Sequence, residues 1–288
     1  MILIAPEEPS GVINLLGKGK INLQIIINHP ESGKRYFSES KEAGMSDADK
    51  NEERKIKKII VFPDGPYLIQ GGIPLVRKIQ VVSEHGEPLT WRTEGKIETK
   101  ESYSLCRCGK SATFPFCDKT HRSFNFDGAE MADTHTTKER CTTYAEGTNI
   151  SVNYDDYLCM NSGFCRNRNR GIEEMLRNTD DSEVRELVMA MIERCPSGSY
   201  SYSIKEGEPE IEPDYPQQIA LTTEITSDGP IEGPLWVTGN IPIERSDGQP
   251  FETRNRVTLC SCGHSLIKPL CDGTHRTLAE EGAKKKSG

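Results

Sequence analysis

No stretch of this sequence is apolar for long enough to cross a membrane, since a spanning helix needs about 20 consecutive hydrophobic residues and the longest runs here are far shorter. No membrane contact is expected. Hydrophobic residues make up only 34% of the 288, and the mean hydropathy is -0.60. That is a thin supply for one large core, so several small modules stapled by metal fit the composition better. Positive charge is also in deficit. The net charge of -8 and a pI near 5.4 disfavour contact with a phosphate backbone, so no nucleic-acid partner is expected. The chain has no dinucleotide G-x-G-x-x-G loop, no P-loop and no nucleophile beside a base, so no catalytic residue is assigned and no enzymatic activity is expected. A cleavable leader is not expected either, because Met1 to Ile4 is followed at once by Pro6, Glu7, Glu8 and Pro9.

Cysteine, by contrast, is plentiful. Six of the ten cysteines and two of the six histidines fall into two stretches with identical gaps, Cys106 to His121 and Cys260 to His275. Both read C-x-C-x2-S-x3-P-x-C-D-x-T-H. Cysteines one residue apart can place both thiolates on one side of a tight turn, with Gly109 or Gly263 letting the backbone come close. Pro115 and Pro269 stiffen the return. Cys117 and His121, like Cys271 and His275, are four apart and can face one point, while Asp118 and Asp272 can cap the helix start that follows. Soft thiolates with one imidazole suit zinc or an iron–sulfur cluster. RNA-binding zinc fingers share C-x8-C and C-x3-H spacings but carry no C-x-C ahead of them. Thiols at metal spacing point to a reducing cytoplasmic setting rather than to disulfides.

These residues resemble the CDGSH (mitoNEET-like) iron–sulfur proteins, whose signature is C-x-C-x2-S-x3-P-x-C-D-G-[ST]-H. The second stretch matches it throughout, and the first has Lys119 at the glycine position. The resemblance implies two 2Fe-2S clusters, one on Cys106, Cys108, Cys117 and His121, the other on Cys260, Cys262, Cys271 and His275. It also implies hydrogen bonds from Ser111 and Ser265 to cluster sulfur. Since a free imidazole takes up a proton near pH 6 while thiolates hold on, each cluster would be redox-active and acid-labile through its histidine.

Along the chain, Ile21, Leu23, Ile25 and Ile27 alternate as a strand, Met45 is a candidate native start, and Ser46 to Lys58 reads as a solvated helix or linker. Gly65 to Leu75 should form two short strands joined at Gly71-Gly72, with another from Ile79 to Val82. The phrase returns at Gly233 to Ile243, so a β element followed by a cysteine stretch occurs twice. Tyr67, Trp91 and Trp236 are assigned to the core of these elements. Between them, Ile150 to Tyr154 alternates as a strand. A helix is expected from an Asp180 cap, burying Val184, Leu187, Val188 and Met191, and Tyr200, Tyr202 and Ile204 form another strand.

This middle segment resembles the divergent single-cluster ferredoxin domain found beside CDGSH segments. Cys159, Cys165 and Cys195-Pro196-Ser197-Gly198 match its pattern, while Met160-Asn161 stands where relatives carry a histidine. The resemblance implies a 3Fe-4S cluster on three cysteines, or a 4Fe-4S cluster with a fourth ligand, for which Cys141 is the candidate. Cys141 reads equally as a plain buried thiol.

The expected fold class is α+β. It comprises an N-terminal extension (1–58), a first CDGSH-type module (59–133), a ferredoxin-like insert (134–206), a linker (207–218), and a second module ending in a lysine-bearing tail (219–288). By the resemblance the two modules form an intramolecular pseudo-dimer within a monomer. Three functional classes follow: an electron carrier or cluster-transfer protein with a redox or cluster-acceptor partner, a zinc-stapled interaction module, or an electron-transfer subunit of an oxidoreductase.

Overall fold

The computed structural model of the chain describes residues 56–144 and 149–287, together with four short strands nearer its start. It divides into two units, Met1–Glu53 and Arg54–Gly288. In the first, β1 (Asn14–Leu16) pairs with β2 (Lys20–Asn22) and β3 (Ile26–Asn28) with β4 (Arg35–Phe37), all antiparallel. The alternation from Ile21 to Ile27 is thus shared between β2 and β3, with the residues between them outside the described set. Met45 and Ser46 to Lys55 also lie outside it.

The second unit opens with β5 (Lys58–Val61), β6 (Tyr67–Gln70), β7 (Leu75–Val82), β8 (Pro88–Ile97) and β9 (Tyr103–Leu105). The middle segment supplies β10 (Thr142–Tyr144), β11 (Ser151–Tyr154) and β12 (Tyr200–Ser203), an antiparallel sheet with the helix Ser182–Arg194 leading into β12. The second copy follows as β13 (Gln218–Thr226), β14 (Gly229–Thr238), β15 (Ile243–Glu244) and β16 (Arg256–Leu259), closed by the helix Thr274–Ser287. The fold is of the α+β class, with several small sheets and few helices among the described residues. Residues expected from 79 to 82 as a separate strand are the end of β7, which stays paired with β8 along its whole length. Lys284–Lys286 lie within the closing helix rather than in a tail.

The two copies exchange strands. After its glycine turn β7 crosses to pair in parallel with β13, and β15 crosses to pair in parallel with β5. The registers correspond: Ile59 opposes Ile69 and Ile243, while Ile219 opposes Val237 and Leu75. The Ile59 amide donates to the Pro242 carbonyl and the Ile219 amide to the Pro74 carbonyl, each at 2.9 Å. In β5 and β6 burial alternates residue by residue, as period-2 side-chain direction requires. The inward residues form one core drawn from both copies, including Ile59, Ile69, Leu75, Ile219, Val237 and Ile243. The scarce apolar residues are therefore pooled, where composition suggested separate small modules.

The middle segment keeps its own core of Ile150, Val152, Val188, Ile192 and Tyr202 among others. Its helix is capped by Asp181, whose side chain accepts from the Glu183 amide at 2.9 Å. Asp180, the expected cap, instead accepts from Asn149 at 3.1 Å. Ile192, one turn beyond Val188, takes the buried face with Met191, whereas Leu187 stands about 100° round from Val188 and points outward, 40% exposed. The β7–β8 hairpin grips this segment. Trp91 packs against Phe164 with centroids 5.5 Å apart and donates to the Arg194 carbonyl, and Gln80 donates to the Ser162 carbonyl at 3.0 Å. Trp236 is buried with Val76 and Ala220. Residues 207–217 are strapped down as well, Tyr215 donating to the Glu193 carbonyl at 2.6 Å.

Candidate metal centres

Each cysteine stretch leaves the last strand of its copy. The Cys106 amide donates to Pro115 and the Cys260 amide to Pro269, both at 2.8 Å. The Cys117 amide returns to Ser104 and the Cys271 amide to Thr258. The first and third cysteines of each quartet are thereby fixed side by side. Cys106 and Cys108 sulfurs stand 3.7 Å apart, as do those of Cys260 and Cys262. Cys117 Sγ lies 3.5 Å from His121 Nδ1, and Cys271 Sγ 3.5 Å from His275 Nδ1. Both histidines are buried. Among the described residues no three of His, Cys, Asp or Glu are grouped as a single-ion site; the ligands are arranged two and two.

The two loops meet back to back. A Cβ on Gly109 would lie 2.4 Å from the Cys262 carbonyl oxygen, and one on Gly263 would lie 2.7 Å from that of Cys108, so neither position has room for a side chain. Asp118 braces its loop by accepting from the amides of Ala112 at 2.8 Å and Thr120 at 2.9 Å. Asp272 does the same with Leu266 and Thr274. The Ser111 hydroxyl donates to the Phe116 carbonyl at 2.6 Å, and the Ser265 oxygen accepts from the Ile267 amide. The groups facing sulfur are backbone amides: Lys119 donates to Cys117 Sγ at 3.4 Å, and the Ser265 and Gly263 amides face Cys260. Contact with Cys262, opposed by burial and reinforced by those amides, draws the Cys260 thiol down, while Cys262 is pushed up by the same contact and by burial. Burial pushes Cys108 up to about 11 despite the Lys110 amide.

In the middle segment Cys159, Cys165 and Cys195 line one cavity of about 440 Å³ together with Met160, Asn161, Ser197, Ser199 and Tyr200. Cys141 does not join them. It ends the short helix Thr137–Arg140, its sulfur 3.9 Å from the Lys138 carbonyl, so the structure does not bring it to the cavity as a fourth ligand. Burial alone would push the Cys195 thiol up. The Arg256 guanidinium and the hydroxyls of Ser197 and Ser199, each 3.5 Å away, outweigh that and leave it below its ordinary value. Burial pushes Cys165 up to about 11.

Four residues at these sites have partners that their local sequence does not announce. Tyr67 donates to the carbonyls of Cys260 at 2.8 Å and Pro269 at 3.1 Å, joining one copy to the loop of the other. Arg256, 1% exposed, donates to the carbonyls of Ile192, Glu193, Cys195 and Tyr200. Glu224 is fully buried beside His275; a lone carboxylate in the apolar alternation from Ile219 to Ile225 was its only trace. Gly273 meets the middle segment, where a Cβ would stand 2.9 Å from the Met160 carbonyl oxygen and 2.8 Å from Asn161 Nδ2.

The donor set and spacing fit metal. Two sulfurs each about 2.3 Å from a tetrahedral ion stand about 3.8 Å apart, and a sulfur and an imidazole nitrogen about 3.5 Å. Comparison with known families agrees. The family described as iron-binding zinc finger, CDGSH type, matches residues 64–122 and 232–276, and the divergent 4Fe-4S mono-cluster family matches residues 145–205. No curated protein and no solved structure matches the chain. The chain thus carries two segments of the iron-binding CDGSH type, one on each side of a divergent 4Fe-4S mono-cluster segment, the make-up of an iron–sulfur-binding protein.

Proposed function

We propose that the chain is an electron-carrying or cluster-transferring protein of the cytoplasm, holding two 2Fe-2S clusters and one 3Fe-4S or 4Fe-4S cluster, with a redox or cluster-acceptor protein as its partner. The observation that carries this reading is the two-and-two arrangement of each quartet. Cys106 with Cys108, and Cys117 with His121, are each spaced as one tetrahedral edge, so the first pair would hold one iron of a 2Fe-2S cluster and the second pair the other. A bound 2Fe-2S cluster supplies one-electron chemistry, and one neutral imidazole in place of a thiolate raises its potential.

The chain's own residues then hold, orient and insulate. Asp118 and Asp272 fix the loops, and the amides of Lys119, Ser265 and Gly263 offer hydrogen bonds to ligand sulfur. The reciprocal strand exchange and the meeting of Gly109 with Gly263 support an intramolecular pseudo-dimer that needs no second chain to complete either site. Cys159, Cys165 and Cys195 would hold the third cluster.

Iron and acid-labile sulfide analysis of protein purified without oxygen, with electron paramagnetic resonance of its reduced and oxidised forms, tests this directly. The expected result is about seven or eight irons and about eight sulfides per chain. Colourless protein containing zinc and no sulfide would establish a zinc-stapled interaction module instead.

A further inference from the structure

The two quartets have equal internal distances and unequal surroundings. His275 is locked from behind: its Nε2 lies 3.1 Å from Glu224 Oε1, Glu224 is fully buried, and the other Glu224 oxygen accepts from Arg276. A carboxylate behind a ligating histidine fixes its ring and strengthens its hold on metal. The same quartet is covered at Gly273, where the middle segment rests Met160 and Asn161 directly on the backbone.

The first quartet has neither device. Among the described residues no carboxylate is hydrogen-bonded to the His121 ring, which lines an open groove of about 510 Å³ with Arg122 and the exposed Phe62 and Phe124; Asp64, in the same groove, accepts from the Gly128 amide instead. Lys119, at the position of Gly273, is exposed. Its φ of 72° is close to the 86° of Gly273, so the turn itself tolerates lysine. What demands glycine in the second copy is the neighbour.

We infer that the two CDGSH sites have separate duties: the second is a retained centre, and the first is where the chain hands its metal centre to an acceptor protein bearing free thiols. The inference rests on the iron–sulfur reading above. In the exchange, the bond from metal to His121 Nδ1 breaks and an acceptor thiolate fills the vacated position. Acceptor thiolates then replace Cys117, Cys106 and Cys108 in turn. Of the four protons leaving the acceptor thiols, three pass to the freed thiolates of Cys106, Cys108 and Cys117 and one to the freed His121 imidazole, and no electron moves.

The test uses the full chain, loaded and handled without oxygen, with iron and sulfide counted first and 2,2′-bipyridyl then added as the probe. Absence of sulfide at the first step would defeat the iron–sulfur reading before release is measured. With clusters present, release should be biphasic, about two irons leaving fast. His121→Cys should abolish the fast phase. Glu224→Gln and Gly273→Lys, which leave every ligand in place, should each move the second site into it and roughly double its amplitude. Lys119→Gly should change neither phase. A mere loss of fold would lower thermal stability without transferring amplitude between phases. Single-phase release from the unaltered chain, a fast phase surviving in His121→Cys, or unchanged amplitudes in both Glu224→Gln and Gly273→Lys would overturn the inference.

Discussion

At the scale of single residues, the loops are set by charges placed against backbone amides. The contact with Thr120, together with the Ala112 amide, holds the Asp118 carboxyl down at about 2. A carboxylate with a depressed folded value contributes stability that is complete above its unfolded value, near 3.9, and is lost as pH falls through the folded one. The brace across the first loop should therefore persist on acidification to about pH 4 and fail only toward pH 2. The Ala112 amide resonance of metal-free protein checks this: its midpoint should lie near 2, and Asp118→Asn should abolish the transition. At this scale the sequence was most legible. A quartet written within sixteen residues carries its own geometry, because turn, proline and ligand are all local. Cys141 had no such context. One thiol without a spaced partner says nothing about where it points, and its sulfur ends near the Lys138 carbonyl.

Among elements, the joint between the middle segment and β16 depends on Arg256. Its guanidinium takes up carbonyls at the end of the helix Ser182–Arg194, a favourable place for a cation, and it pairs with Glu212 at 2.9 Å. Replacing it with methionine keeps the stem but strands those carbonyls in a dry site. Arg256→Met should cost about 3 kcal/mol, read as a lowered melting temperature, and should raise the Cys195 thiol by removing its counter-charge. None of this could be read from sequence order, since the partners lie 44 to 64 residues away. Short-range signals fared better: the strands β11 and β12 and the helix before Cys195 were all visible, although β12 ends at Ser203 and leaves Ile204 outside it, exposed. Their limits shifted where a neighbouring residue competed, as Asp181 did with Asp180 for the cap.

For the molecule as a whole, strand exchange makes each copy incomplete without the other. The first copy expressed alone, residues 56–133, would expose the faces of Ile59 and Leu75 and lose β15 from the side of β5. Such a fragment should show the collapsed amide dispersion of an unfolded chain in nuclear magnetic resonance spectra, even with iron supplied. A dispersed spectrum from a monomer would show that the copies fold independently. The repeat of Gly65–Leu75 at Gly233–Ile243 was plain in the sequence. The crossing of β7 and β15 was not, because parallel pairing between distant strands leaves no local pattern.

That crossing also sets a timetable. Lys58 and Glu244, whose side chains meet at 3.1 Å where β5 receives β15, are 186 residues apart. At about 5 to 20 residues per second, a ribosome takes roughly 10 to 40 seconds to cover that interval. For most of it the nascent first module carries the three thiols and the histidine of its quartet beside a strand edge that β15 has not yet reached, and the last histidine of the second quartet emerges later still. Iron delivered before synthesis finishes would find only half a protein to receive it, so maturation of this chain belongs after its release.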